Sequence, residues 1–370
     1  MWVGSTPSDA QRRRVPPGAQ ILRHGQGIHG VGSPRGHYFA YWGRRGLEIY
    51  DVEAQRRIRV DDAPQLGVVT CAAMGWSPDE RRVAFTHERG VAEYDLETGR
   101  VRIVHAEPDD PYNRSELCSV AYDAEGRVAW TRQQRTGAVL FREQRPPVAF
   151  PAGFGADRWA LLAFGPTSGA EHLLVVNRDS HRATRLDLAR PSARFEPLPG
   201  DFAIPYADRA GRRLCHHDEG RLLCQDLRSG SAVDLGEGSM VGTIEANPFS
   251  PSGERIVFRR GDDVVVHDFA SGRQRVIYRL TLPGGSFAYR GIAFEGEQRV
   301  LLFEHAQVLN ERGPAIARVD LRTGESRVLL RDEQQYCYAE VLGADTVFVF
   351  RTNRGGGEDL TRVHFPSTRL

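Results

Sequence analysis

Three clusters in this chain combine residue types that do chemistry, and each can be judged by the element it would need. Gly25-Gln26-Gly27-Ile28-His29-Gly30 has the G-x-G-x-x-G spacing that brings a dinucleotide pyrophosphate against a helix N-terminus. The residues that follow, Val31-Gly32-Ser33-Pro34-Arg35-Gly36, are turn formers that cannot begin that helix, so the glycines read as the entry to a strand. Cys215, His216, His217 and Cys224 are soft donors of the kind zinc takes. Strand alternation sends Cys215 and His216 to opposite faces, and the spacing matches no closed zinc site, so packed or surface residues are expected instead. Glu116, Glu245, Asn247 and Glu340 are the polar residues placed to hold a divalent cation that polarises a substrate. They occupy different positions within their segments, which does not make a ring of ligands. The expectation is no catalytic residue, no metal and no cofactor.

Composition removes further chemistries. All 49 basic side chains are arginine. Without lysine there is no phosphate-loop lysine, no pyridoxal Schiff base and no Ser-Lys dyad, each of which needs an ammonium group. No G-x-S-x-G or H-E-x-x-H segment occurs either. A net charge of +1 gives no overall field that would draw nucleic acid or an anionic membrane, so neither is expected as a partner. The five cysteines are odd in number and widely scattered, which fits reduced thiols better than a disulfide framework. Residues 1–20 lack the apolar run of a secretory signal, and no stretch approaches the roughly 18 apolar residues of a membrane span. A cytoplasmic location is expected.

The elements that would position any site come from a repeated phrase: a polar turn, an apolar strand, a short break, a second strand ending in an acid, then Ser/Thr-Gly and Arg. The clearest copies are Trp76-Ser77-Pro78-Asp79 with Val83-Ala84-Phe85 and Asp95-Leu96-Glu97-Thr98-Gly99-Arg100, and Phe249-Ser250-Pro251-Ser252-Gly253 with Ile256-Val257-Phe258 and Asp268-Phe269-Ala270-Ser271-Gly272-Arg273. The acid, or the residue in its place, falls at Asp51, Asp95, Arg142, Asp187, Asp226, Asp268, Asp320 and His364. A repeat of this length cannot bury its own faces and must stack on its neighbours. Runs such as Val264-Val265-Val266 and Leu173-Leu174-Val175-Val176 are apolar on consecutive positions, as a sheet covered on both sides requires.

These features predict an all-β chain: one β-propeller of four-stranded antiparallel blades, eight in number, or seven if the third or fourth unit is miscounted. Residues 18–370 form the single domain, and residues 1–17 a flexible leading segment. The last unit has room for only three strands, and Ala19-Gln20-Ile21-Leu22-Arg23 supplies the fourth, closing the ring and removing two free sheet edges.

The repeats resemble those of TolB-like and WD-repeat β-propellers through Ser77 to Phe85 and Ser250 to Phe258, and through the Asp-Leu/Phe-x-Thr/Ser-Gly elements starting at Asp95, Asp226, Asp268 and Asp320. The resemblance spans residues 20 to 370 and implies a fold, because such propellers serve many unrelated tasks. The Gly-His and Trp-Asp pairs of WD repeats are missing, as is a hydrolase domain.

In this architecture the connections between second and third strands emerge on one face, and arginine recurs there: Arg44 and Arg45, Arg89, Arg135, Arg178, Arg260, Arg312 and Arg354, with His87, His181 and His217 nearby. Guanidinium groups suit bidentate recognition of carboxylate or phosphate. Glu88, Asp179, Asp218, Asp262 and Asp263 share these loops and can neutralise much of that charge. Long insertions at Ala106 to Ser115, Pro151 to Arg158 and His305 to Pro314 share this face, and insertions confined to one face mark a docking surface. Tyr112, Phe154, Trp159 and Leu309 would supply apolar anchors. The expected function is non-enzymatic binding of a protein partner, as scaffold, adaptor or regulatory subunit. The alternatives are a metal-assisted hydrolase or lactonase working in the central channel, and binding of a polyanion or nucleic acid.

Overall fold

Consecutive apolar residues need cover on both sides of their strand. The computed structural model supplies that cover over the residues it describes: 19–25, 30–43, 46–60, 73–87, 90–106, 116–123, 125–134, 137–151, 159–161, 172–177, 181–187, 194–198, 203–208, 212–227, 229–238, 248–279, 291–304, 315–331, 336–342, 346–352 and 358–364. Eight antiparallel sheets follow one another as the blades of a propeller. Inner to outer, blade one is Gly30–Gly32, Tyr38–Gly43, Gly46–Asp51 and Arg56–Arg59; blade two is Met74–Trp76, Arg82–His87, Gly90–Asp95 and Arg100–Ala106. Blade three is Glu116–Tyr122, Val128–Gln134, Gly137–Arg142 and Arg145–Ala149; blade four is Trp159–Leu161, His172–Asn177, Ala183–Asp187 and Glu196–Pro197. Blade five is Ala203–Ala207, Arg213–Asp218, Arg221–Asp226 and Ala232–Glu237. Blade six is Arg255–Arg260, Asp263–Asp268 and Arg273–Arg279, with Phe249 bridged to Ile256 on its inner side. Blade seven is Gly291–Glu295, Arg299–Glu304, Ala315–Asp320 and Ser326–Arg331; blade eight is Tyr336–Leu342, Thr346–Thr352, Glu358–His364 and, outermost, Ala19–Gly25.

Each junction between blades has its own apolar core. Ile256 and Phe258 pack toward blade five while Val257 between them packs toward blade seven; Ala84 faces blade three while Val83 and Phe85 face blade one. This two-sided burial is the reason for the consecutive apolar runs, and each fully buried Val, Ile or Phe contributes about 1.5–3 kcal/mol. Between blades one and two, Trp76 is fully buried, its ring stacks on Tyr38 at 5.7 Å, and its Nε1 donates to the Val31 carbonyl at 3.0 Å.

The ring closes as expected. Ala19–Gly25 pairs antiparallel with Glu358–His364, from Ala19 opposite Val363 to Gly25 opposite Glu358. The last junction is filled by Leu22, Phe348 and Leu360 against Phe39, Tyr41 and Tyr50, with Phe39 and Phe348 stacked at 4.1 Å.

Both repeated turns have a local cause. In the turn from inner to second strand, the side-chain oxygen of the first residue accepts a backbone N–H from the far side: Ser33 from Tyr38 at 3.0 Å, Ser77 from Arg82 at 2.9 Å, Asp123 from Arg127 at 3.0 Å and Ser250 from Arg255 at 3.2 Å. In the turn from third to outer strand, Asp268 Oδ1 accepts from the Ser271 N–H at 2.9 Å, and Asp95 does the same from Thr98 at 2.7 Å. Gly272 then closes back onto the Asp268 carbonyl at φ 67°, a left-handed conformation that favours glycine. The Asp-x-x-Ser/Thr-Gly element is thus a self-capping turn.

One expectation is corrected. Cys215 and Cys224 are not free thiols: they lie directly opposite each other on the second and third strands of blade five, Cα atoms 4.0 Å apart, and form a disulfide. Residues 1–18 lie outside the described residues.

Candidate functional site

The two faces of the ring are connected differently. On one, here called the turn face, the described links between inner and second and between third and outer strands are the short capped turns above. On the other, the loop face, strand bounds leave the stretches 61–73, 107–115, 150–158, 238–248, 280–290 and 305–314 as connections; in blade four they also leave 162–171 and 188–195 on the turn face. Arg44, Arg45, Arg89, Tyr112, Arg135, Phe154, Arg178, Leu309, Arg312 and Arg354 lie outside the described residues, as do Glu245 and Asn247 of the expected channel set.

The remainder can be placed. Trp159 opens the inner strand of blade four, opposite Asn177 at the loop-face end. His87 ends the second strand of blade two opposite Gly90 and is buried at 3% exposure. Arg260 ends the second strand of blade six and is committed to blade five and to its own sheet. Its Nε donates to the Glu237 carbonyl at 3.2 Å, and its Nη2 to the Leu235 carbonyl at 2.8 Å and to Gln274 Oε1 at 2.6 Å. Around it, Arg221 pairs with Asp234 at 2.6 Å, Arg279 with Asp263 at 2.7 Å and Arg259 with Asp262 at 3.8 Å. In the blade five and six sector these four arginines are therefore engaged within the protein.

On the turn face, arginine joins blade to blade. Arg82 Nη2 donates to the Gly126 carbonyl at 3.3 Å, Arg213 Nη1 to Gly253 at 2.6 Å and Arg255 Nη1 to Glu297 at 2.8 Å, each reaching the first turn of the next blade. Arg185 and Arg275 reach the carbonyls of Leu227 and Leu321 in the same way. The guanidiniums of Arg82 and Arg213 also lie over the rings of Tyr122 and Phe269 in the next blade, at 5.5 and 4.6 Å. A planar fork with five donors suits this double duty, which an ammonium cannot perform.

A charged cluster not singled out from sequence centres on Glu93 in the third strand of blade two. Its carboxylate accepts from Tyr122 Oη at 2.8 Å, from Arg82 Nη1 at 3.3 Å and from Arg102 at 3.0 and 3.2 Å, while Arg102 Nη1 also bonds Glu143 at 2.7 Å. Against the upward push of burial, Arg102 and the Val128 N–H hold the Glu143 carboxyl below its usual range. Burial, and then the Glu93 charge, push the Tyr122 phenol well above its ordinary value. A phenol so disposed cannot act as a base or nucleophile near neutral pH, so the cluster is a tie between blades two and three. Its one signal in sequence is an acid inside an otherwise apolar strand, between Ala92 and Tyr94.

Among the described residues no group of three or more His, Cys, Asp or Glu is placed to hold a metal ion. With Cys215 and Cys224 bonded to each other, neither sulfur is available as a thiolate ligand.

No protein-family model matches the chain, and no curated protein sequence does. Solved structures resemble it at the level of fold. The WD40 domain of SCAP from fission yeast is 9% identical over 94% of this chain and 98% of that one, with a TM-score of 0.55. Dihydro-heme d1 dehydrogenase NirN in complex with DHE is 16% identical over 98% of this chain and 77% of that one, at 0.52. An oligogalacturonate lyase in complex with manganese is 10% identical over 92% and 91%, at 0.50. The chain is an eight-bladed β-propeller whose likeness extends to a WD40 domain and to propeller enzymes alike.

Proposed function

We propose that this propeller binds another protein through its loop face, as a scaffold, adaptor or regulatory subunit. One observation carries the reading: outside blade four the turn-face links are short, many of them capped by their own side chains, with arginines reaching the next blade, while the longer connections 61–73, 107–115, 238–248, 280–290 and 305–314 open on the other face. A face already hydrogen-bonded to itself offers a partner little, whereas loops on a rigid ring can vary to fit one. Arg260 is engaged within the protein, and of the other arginines expected on this face Arg135 and Arg178 are the pair to test.

The test is a paired pull-down from the native host's extract using wild type, Arg135→Glu/Arg178→Glu and, as a turn-face control, Arg322→Glu. The expected outcome is a stoichiometric protein partner lost from the loop-face variant, kept by the control, with thermal midpoints of all three within about 2 °C. Equal recovery by both variants, or loss from the control alone, would sink the proposal.

A further inference from the structure

Cys215 and Cys224 carry an inference that does not depend on the loop-face reading. Their strands are joined at Glu219–Gly220, and the pairing of Asp218 with Arg221 brings Cys215 opposite Cys224. Both side chains are buried, at 0% and 2% exposure, in the core of the junction between blades five and six, among Tyr206, Leu222, Phe249, Ile256 and Phe258. Blade six thus seals the sulfurs from solvent.

We propose that Cys215–Cys224 is a sealed structural disulfide acquired before blade six docks, and that this protein works in an oxidising compartment. The reaction is thiol–disulfide exchange with a small-molecule or protein disulfide. One cysteine thiolate attacks a sulfur of the oxidant and displaces a thiol. The second cysteine then attacks the mixed disulfide and displaces the other, so the two protons and two electrons leave with the oxidant's two thiols. Once blade six is in place, a reductant has no route to the sulfurs, and reversal requires the junction to open. In a reducing cytosol the same cysteines would remain thiols as the chain folds. This proposal and the expectation of a cytoplasmic location therefore exclude one another.

The experiment counts thiols on the wild-type chain. The full chain is produced once in an oxidising compartment and once in a reducing cytosol, alkylated at lysis in denaturant, and weighed intact. The oxidised sample should show three alkylated cysteines of the five, with one cross-linked peptide pair containing residues 215 and 224. That count should persist when the folded protein is held with a phosphine reductant, and rise to five only when denaturant is added. The cytosolic sample should show five, with a thermal midpoint lower by roughly 3–4 °C, the loss of a short-loop disulfide spread over a chain of this length. Five alkylated cysteines in the oxidised sample, a different cysteine pair, ready reduction of the folded protein, or equal midpoints would each overturn the proposal.

Discussion

Glu93, between blades two and three, and Asp208, between blades five and six, are both buried carboxylates near the turn face, but they are held in opposite ways. Glu93 is met by two guanidiniums and a phenol. Asp208 Oδ1 accepts the backbone N–H groups of Arg212 at 2.6 Å and Arg213 at 3.1 Å, and the charges of the same two arginines act on it. Its Oδ2 lies against Gly253 of the next blade, so that a Cβ there would come within 2.5 Å. Burial raises its pKa, and those N–H groups oppose the shift without cancelling it. One carboxylate is held by side chains of two blades, and the other occupies a place that serine fills in blades one, two and six. Burial alone therefore does not tell what an acid contributes; the charge of its partners does.

The largest test of this contrast is Glu93→Ala. It leaves the buried Tyr122 hydroxyl without its acceptor and removes the anion shared by Arg82 and Arg102. The expected loss is about 3 kcal/mol in chemical denaturation, the low end for a broken buried pair because Arg102 is half exposed and regains water. A loss below about 1 kcal/mol would make the cluster a surface ornament and end the contrast.

Gly253→Ala probes the other junction. Gly253 sits at φ 73°, and an added methyl meets Asp208 Oδ2, so backbone strain and overlap together should cost about 2 kcal/mol. In an Asp208→Ser background, which restores the residue found at Ser33, Ser77 and Ser250, the overlap is gone and only the backbone cost of about 1 kcal/mol should remain. Equal costs in both backgrounds would show that the carboxylate does not press on the next blade.

How much of this was legible in sequence depends on whether the cause was local. All eight third-strand markers, from Asp51 to His364, end their strands where expected, and at Asp51, Asp95, Asp226, Asp268 and Asp320 the acid caps its own turn. Ala19–Gly25 was legible because the last unit lacked a strand. The disulfide was legible in principle: a two-residue turn at Glu219–Gly220 pairs Asp218 with Arg221 and, three steps back, Cys215 with Cys224. Counting cysteines hid what counting register would have revealed. The Glu93 cluster and the contacts of Arg260 were not legible, because each joins residues of adjacent blades whose rotation and height no single repeat encodes. Arg260 looked like a loop residue by its spacing, yet its guanidinium lies over Phe258 of its own strand at 5.5 Å and turns inward to blade five.

The smallest effect expected is Asp208→Asn, and its sign with pH is the sharpest discriminator. Because the folded protein holds the Asp208 proton more tightly than the unfolded chain, this group favours folding most when protonated. That contribution is complete below about pH 4, the unfolded value, and is lost as pH rises through the higher folded value. Asparagine keeps an oxygen for the Arg212 and Arg213 N–H groups and has no charge to bury. The variant should therefore gain on wild type as pH rises above about 4 and lie within about 1 kcal/mol of it at neutral pH. Asp268 runs the other way. The Ser271 N–H and hydroxyl, with Arg255, hold its carboxyl at about 2, so its contribution is present above about pH 4 and disappears as pH falls toward 2. Thermal midpoints of wild type, Asp208→Asn and Asp268→Asn across this range should give difference curves of opposite slope. Parallel curves for Asp208→Asn and wild type would mean that Asp208 is ionised as freely in the fold as outside it, and that the two buried carboxylates do not differ in kind.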